Sequence, residues 1–161
     1  MKPRRIIRRA SLAGATAGLP QTLHPVLRRI YGARGVRGVE DLDLSLERLL
    51  PIRSLGGIEA AVDLLLQCRR RGGSVLVIGD FDADGATSTA VVIRQLRRLG
   101  FTAPQFLVPD RFKFGYGLTP EIVRVAATLR PGLIVTVDNG VSSLEGVAEA
   151  RRLGIEVLVT D

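Results

Sequence analysis

The sequence predicts an α/β domain, a parallel sheet with helices on both faces, preceded by a short helical basic leader. Three observations carry that expectation. From residue 74 onward, apolar runs rich in β-branched side chains alternate strictly with longer amphipathic stretches, the pattern of repeated βαβ units. The runs 75–78 and 133–137 are almost continuously apolar, which suits strands buried on both faces. Glycines and helix-capping residues fall at the joints that this alternation requires.

At 161 residues with 46% hydrophobic residues, the chain is long enough to bury a real core. No apolar run approaches the roughly 18 residues of a membrane helix, which, with no convincing export signal in the leader, predicts a cytoplasmic protein. The only cysteine, Cys68, excludes an internal disulfide. Its distance in sequence from the single histidine, His24, argues for a buried hydrophobe and against a catalytic thiol. The net charge of +7 is uneven. Residues 1–53 hold eleven Lys/Arg against four acids, and residues 54–161 hold twelve of each. A basic leader in front of a neutral domain suits a polyanion, nucleic acid first, or a solvated tail.

In chain order, residues 1–20 read as a flexible leader, 21–73 as a helical segment and 74–161 as the α/β domain. A short helix is expected over Val26–Tyr31, and another over Asp41–Leu50, closed by Pro51. Within 57–71 the helical spacing of Ile58, Ala61, Val62, Leu65 and Leu66 predicts a longer one, with arginines where the helix dipole favours cations. Strands are expected at 74–80, 104–108, 133–137 and 155–160. Helices are expected from about Gly85 to Leu99, from Pro120 to about Leu129 behind a Thr119 cap, and from Ser142 or Ser143 to Leu153.

Ligands of such sheets bind beyond the carboxyl ends of the strands. Here those ends carry Asp80, Asp82 and Asp84 after the first strand, Asp138 after the third, and Asp161 after the fourth. Carboxylates crowded with no cation in the same motifs repel one another, and a site for two hard divalent ions relieves them. An EF-hand loop also opens with alternating acids, but its twelfth position would be Val91 and a strand precedes it, so that reading fails. A haloacid-dehalogenase-type phosphatase accounts less well for the third acid and for Val137-Asp-Asn-Gly140. The plainest alternative is that the acids only cap the next helix.

Gly79-Asp-Phe-Asp-Ala-Asp-Gly-Ala-Thr-Ser-Thr89, Val137-Asp-Asn-Gly140 and the closing Val-Thr-Asp161 resemble motifs I, II and the start of motif III of the DHH phosphoesterase superfamily. Leu23 to Tyr31, Arg34-Gly-Val36 and Val108 to Leu118 are similar to its single-stranded-DNA-specific 5′-to-3′ exonucleases. The resemblance implies a nuclease of DNA repair and recombination that uses two Mn²⁺ or Mg²⁺ ions on single-stranded DNA. Asp82 and Asp84 would each bind one ion and Asp138 would bridge them. Asp80 would supply or support a further ligand, where some members carry a histidine at the position of Ile78. Asp161 would orient groups from behind. Single-strand-binding protein and recombination or mismatch-repair factors are the implied protein partners. A phosphodiesterase for short oligonucleotides or cyclic dinucleotides is the enzymatic alternative.

Five further positions are expected near phosphate or DNA. Gly85 would allow a sharp turn from strand to helix, and Thr87 and Ser88 would bond phosphate or the helix itself. Arg111, in a loop, would grip a phosphate, and Tyr116 would stack on a base or pack under its loop. The sequence stops at the first residue of the naming Asp-His-His motif. The resemblance therefore implies an amino-terminal fragment without both histidines, at most a weak metal or DNA binder that does not turn over alone.

Overall fold

The computed structural model describes residue 14 and residues 16–161. Most of the expected leader, residues 1–13 and 15, lies outside the described residues. The chain divides into two compact units, one ending at Ser54 and the other spanning Leu55–Asp161. The segment expected as 21–73 straddles that division.

In the first unit, α1 covers Pro25–Ala33. Pro25 supplies a helical φ where no N–H partner is needed, and Val26 N donates to the His24 ring at 3.3 Å, so the first turn is settled locally. The helix expected over Asp41–Leu50 does not form. Two one-turn 3₁₀ segments, Glu40–Leu42 and Leu46–Arg48, replace it, followed by a third at Ile52–Ser54. Side chains compete with the helix for its backbone. Asp43 accepts from Ser45 N at 3.0 Å and Asp41 from Arg37 N at 2.7 Å, so the chain turns where a helix would continue.

The second unit begins with α2 (Ile58–Arg70), followed by β1 (Val75–Ile78), α3 (Ala83–Arg98), β2 (Gln105–Leu107) and the one-turn α4 (Arg111–Phe114). Then come α5 (Pro120–Ala127), β3 (Leu133–Val137), α6 (Leu144–Arg152) and β4 (Glu156–Thr160). The strands form one parallel sheet in the order β2-β1-β3-β4. Its two central strands are wholly buried, as their unbroken apolar runs require.

Side-chain alternation sorts these strands into two cores. Val75 and Val77 of β1 and Leu133, Val135 and Val137 of β3 pack with Cys68 of α2 and Ile93 and Leu96 of α3. Leu76 and Ile78 of β1 and Ile134 of β3 pack instead with Ile122, Val123 and Ala126 of α5 and Ala150 of α6. Each fully buried aliphatic side chain contributes roughly 1.5–3 kcal/mol relative to exposure. A charge at Val77, which is 0% exposed, would therefore unseat the sheet. Cys68 is a core hydrophobe as expected, and burial pushes its thiol above the ordinary range. Among the described residues, no helix is long and apolar enough to cross a membrane.

Candidate metal centre

Parallel pairing brings β1, β3 and β4 to an end on one edge. The register sets Ile78 beside Thr136 and Val137 beside Thr160, so Asp80, Asp138 and Asp161 all follow strands on that edge. One carboxylate oxygen each from Asp80, Asp82 and Asp138 lies within 4.8 Å of the others. Oxygens on opposite sides of one Mg²⁺- or Ca²⁺-like ion stand roughly 4–5 Å apart. These three side chains can therefore share a single hard cation.

Local structure aims each acid. Asp82 ends the extended segment and caps α3: its Oδ1 accepts from Asp84 N at 3.1 Å and Gly85 N at 3.0 Å, so the cap uses only one of its two oxygens. The helix thus starts at Ala83 rather than near Gly85. Asp80 is only 8% exposed, and its Oδ1 accepts from Phe81 N at 2.8 Å. Asp138 sits in the left-handed region at φ 59°, a conformation that Asp and Asn adopt more readily than other non-glycine residues. The cap at Asp82 takes one oxygen of one acid, so capping alone does not account for the gathering of Asp80 and Asp138 beside it.

The charges are crowded. Desolvation first, then the negative charges of Asp82, Asp84 and Asp80 and a hydrogen bond to Asp82, push the Asp138 carboxyl above its ordinary value. The Tyr116 phenol is raised by desolvation, then by Asp80, Asp161, Asp138 and Asp82. None of these acids belongs to an ion pair among the described residues. Hard oxygen donors, mutual repulsion and no neutralising partner fit a divalent cation.

The other expected residues divide. Asp84 is exposed and stands outside the three-carboxylate group, although its charge reaches Asp138. Asp161 Oδ2 accepts from Val141 N at 2.9 Å and so braces the loop after β3. Gly85 does not make the turn: it lies inside α3, and its N–H is taken by Asp82. A Cβ there would stand 2.3 Å from the Asp80 carbonyl oxygen, so glycine permits close approach of helix to strand end. The Thr87 hydroxyl donates to Ala83 and Asp84 carbonyls and that of Ser88 to Asp84 and Gly85 carbonyls, the back-bonding alternative. Arg111 lies on no loop; it opens α4, where Asp110 accepts from Phe112 N at 2.9 Å. Tyr116 is half exposed, and its hydroxyl donates to the Asp138 carbonyl at 3.3 Å.

Two contributors were not anticipated. Asn139 is fully buried, and its Nδ2 donates to the Ile78 carbonyl at 3.1 Å and the Val137 carbonyl at 2.9 Å, bridging the ends of β1 and β3. Its position between Asp138 and Gly140 was the available signal. Phe81, between two of the clustered acids, carries the Arg111 guanidinium carbon 3.7 Å from its ring centroid.

A parallel sheet with a carboxylate cluster on its carboxyl edge defines an α/β protein equipped for hard divalent cations. Residues 74–161 match the DHH family, N-terminal domain, and the chain belongs to the DHH family. Over 161 residues it is 51% identical to the single-stranded-DNA-specific exonuclease RecJ of Salmonella typhimurium, covering 100% of this chain and 28% of that protein. Over 146 residues it is 52% identical to the Escherichia coli protein of the same name, covering 91% of this chain and 25% of that one. The chain thus spans about a quarter of the length of these curated relatives. The crystal structure of exonuclease RecJ bound to manganese matches with a TM-score of 0.61 at 37% identity, over 74% of this chain and 29% of that one. RecJ from Thermus thermophilus in complex with Mn²⁺ matches with a TM-score of 0.58 at 37% identity, over 81% and 18%.

Proposed function

We propose that this chain supplies the aspartate side of a divalent-metal centre in a single-stranded-DNA-specific 5′-to-3′ exonuclease. The convergence of Asp80, Asp82 and Asp138 within 4.8 Å carries the reading, and the names of its relatives give the substrate. Mn²⁺ or Mg²⁺ in such a site polarises the phosphodiester and water and neutralises charge on the phosphate.

The chain's own residues hold and orient. Asp82 would offer a cation the oxygen that its cap does not use, and Asp138, whose carboxyl is raised by desolvation and then by the neighbouring acids, would be the ligand shared by the two metals. Asp80 completes the group from the buried side, and Asp84, in the first turn of α3, serves the second ion. Asp161 steadies the loop after β3. Arg111 offers a planar fork to a DNA phosphate, with Tyr116 beside it. Gly85, Thr87 and Ser88 shape the start of α3. Single-strand-binding protein, recombination or mismatch-repair factors as partners, and a cytoplasmic setting, accompany the same reading.

Titration calorimetry with Mn²⁺ tests the site: the 161-residue chain is expected to bind, and Asp82→Asn and Asp138→Asn to lose binding at least tenfold. The activity is tested on a chain extended to the length of its relatives, given Mn²⁺ and 5′-labelled single-stranded DNA. Mononucleotide release unchanged by Asp82→Ala or Asp138→Ala would refute the assignment.

A further inference from the structure

The Arg111 guanidinium lies over Phe81, the residue between Asp80 and Asp82, yet it belongs to no ion pair and makes no side-chain hydrogen bond among the described residues. A long cationic side chain beside several carboxylates is ordinarily drawn into them. What holds it here is aromatic: its guanidinium carbon is 3.7 Å from the Phe81 centroid and 5.9 Å from that of Tyr116, both within the reach of a cation–π contact. Phe81 is 45% exposed and belongs to neither core cluster, so core packing does not explain an aromatic ring at this position.

Geometry divides the guanidinium between two uses. Its face rests on the ring, and its five N–H groups lie in the plane, pointing outward, where a phosphate is gripped in bidentate fashion. The neighbouring contacts pin the arrangement from both sides. The Asp110 cap fixes the backbone at Arg111, and the Tyr116 hydroxyl is tied to the Asp138 carbonyl. Held in this way, the cation does not neutralise the acids that need a metal.

We infer that Phe81 is a positioning residue: its ring keeps Arg111 off the carboxylates and presents the edge of the guanidinium to a phosphate of the single strand. This rests on the phosphate contact proposed above for Arg111. The test is fluorescence anisotropy of a 5′-phosphorylated oligothymidylate binding to the 161-residue chain, over a series of salt concentrations. Phe81→Leu keeps the bulk and removes the π face. It is expected to weaken binding about two- to fivefold, the size of an exposed cation–π contact, while Phe81→Tyr binds like the parent. Arg111→Ala is expected to weaken binding further and to flatten the salt slope by about 0.7, one phosphate contact on a single strand. In the Arg111→Ala background, Phe81→Leu should add nothing. Circular-dichroism melting of each variant shows that the fold is retained.

Arg111→Ala that weakens binding while Phe81→Leu does not overturns the positioning role and leaves the phosphate contact standing. The role is equally overturned if Phe81→Leu weakens the Arg111→Ala protein as much as the parent. Arg111→Ala with unchanged affinity and slope removes the contact itself, and the role of Phe81 with it.

Discussion

Gly85→Ala measures how closely α3 must approach the end of β1. The added Cβ would stand 2.3, 2.5 and 2.6 Å from the carbonyl oxygen, carbonyl carbon and nitrogen of Asp80. All three are backbone atoms, so no side chain can swing aside. The helix must withdraw by about 0.7 Å to reach 3.0 Å from the oxygen, and by about 1.1 Å to reach ordinary contact at 3.4 Å. It carries Asp82 with it, because the Asp82 cap is bonded to the Asp84 and Gly85 amides. Metal–ligand distances tolerate only about 0.2 Å. Overpacking of this kind costs roughly 1–3 kcal/mol, offset by about 1 kcal/mol from alanine's better helix propensity. A net loss of up to about 2 kcal/mol lowers the melting temperature by up to roughly 8 °C. Mn²⁺ affinity, followed by calorimetry, is expected to fall about 10- to 100-fold, as when the groups that orient a ligand are disturbed. Gly56→Ala, whose Cβ would meet nothing within 4 Å, serves as the control. A Gly85→Ala protein that melts and binds Mn²⁺ like the parent would show that close approach is not what glycine provides.

Asp138→Asn keeps a side chain suited to φ 59° and removes a charge. Because the folded carboxyl is raised, by desolvation and then by the charges of Asp82, Asp84 and Asp80, ionising it favours the unfolded chain. Stability is therefore lost as pH rises from the ordinary carboxylate value through the raised one. Without metal the variant should melt higher than the parent at neutral pH and equally in acid; with Mn²⁺ it should gain nothing. Asn139→Ala removes both donations to strand-end carbonyls and leaves a void, costing about 2–3 kcal/mol in urea unfolding; a loss below about 0.5 kcal/mol would count against the bridge. Glu149, which accepts from Arg152 and Arg124, is lowered from 4.5 to about 2, mainly by Arg152. Its contribution is present above about pH 4.5 and disappears as pH falls towards 2, so Glu149→Gln should melt lower than the parent at neutral pH and converge with it in strong acid.

The strands were legible because burial on both faces leaves an unmistakable run, as in Val75–Ile78 and Leu133–Val137. The gathering of Asp80 and Asp138 followed from parallel connectivity alone. What the spacing of Asp80, Asp82 and Asp84 did not reveal is that their alternation stops halfway. Asp82 caps α3, so Asp84 follows helical geometry and leaves the group that a continuing strand would have kept it in. Asp41–Leu50 misled for a related reason: short-range bonds from Asp41 and Asp43 outcompete a helical pattern that no core compels. The Phe81–Arg111 contact joins residues far apart in the chain and leaves no periodic trace.

Asn139 has a mechanical consequence. A single amide group grips the last carbonyls of two neighbouring strands, and the acids on either side of that grip, Asp80 and Asp138, inherit a common origin. If the outer helices breathe, both acids ride on the same clamp, and the gap between them is conserved even as their absolute position drifts. The part of the cage that depends on a helix is Asp82 alone. The tolerances of the centre are therefore unequal: two corners are referenced to the sheet, and one to how tightly α3 is drawn down at Gly85.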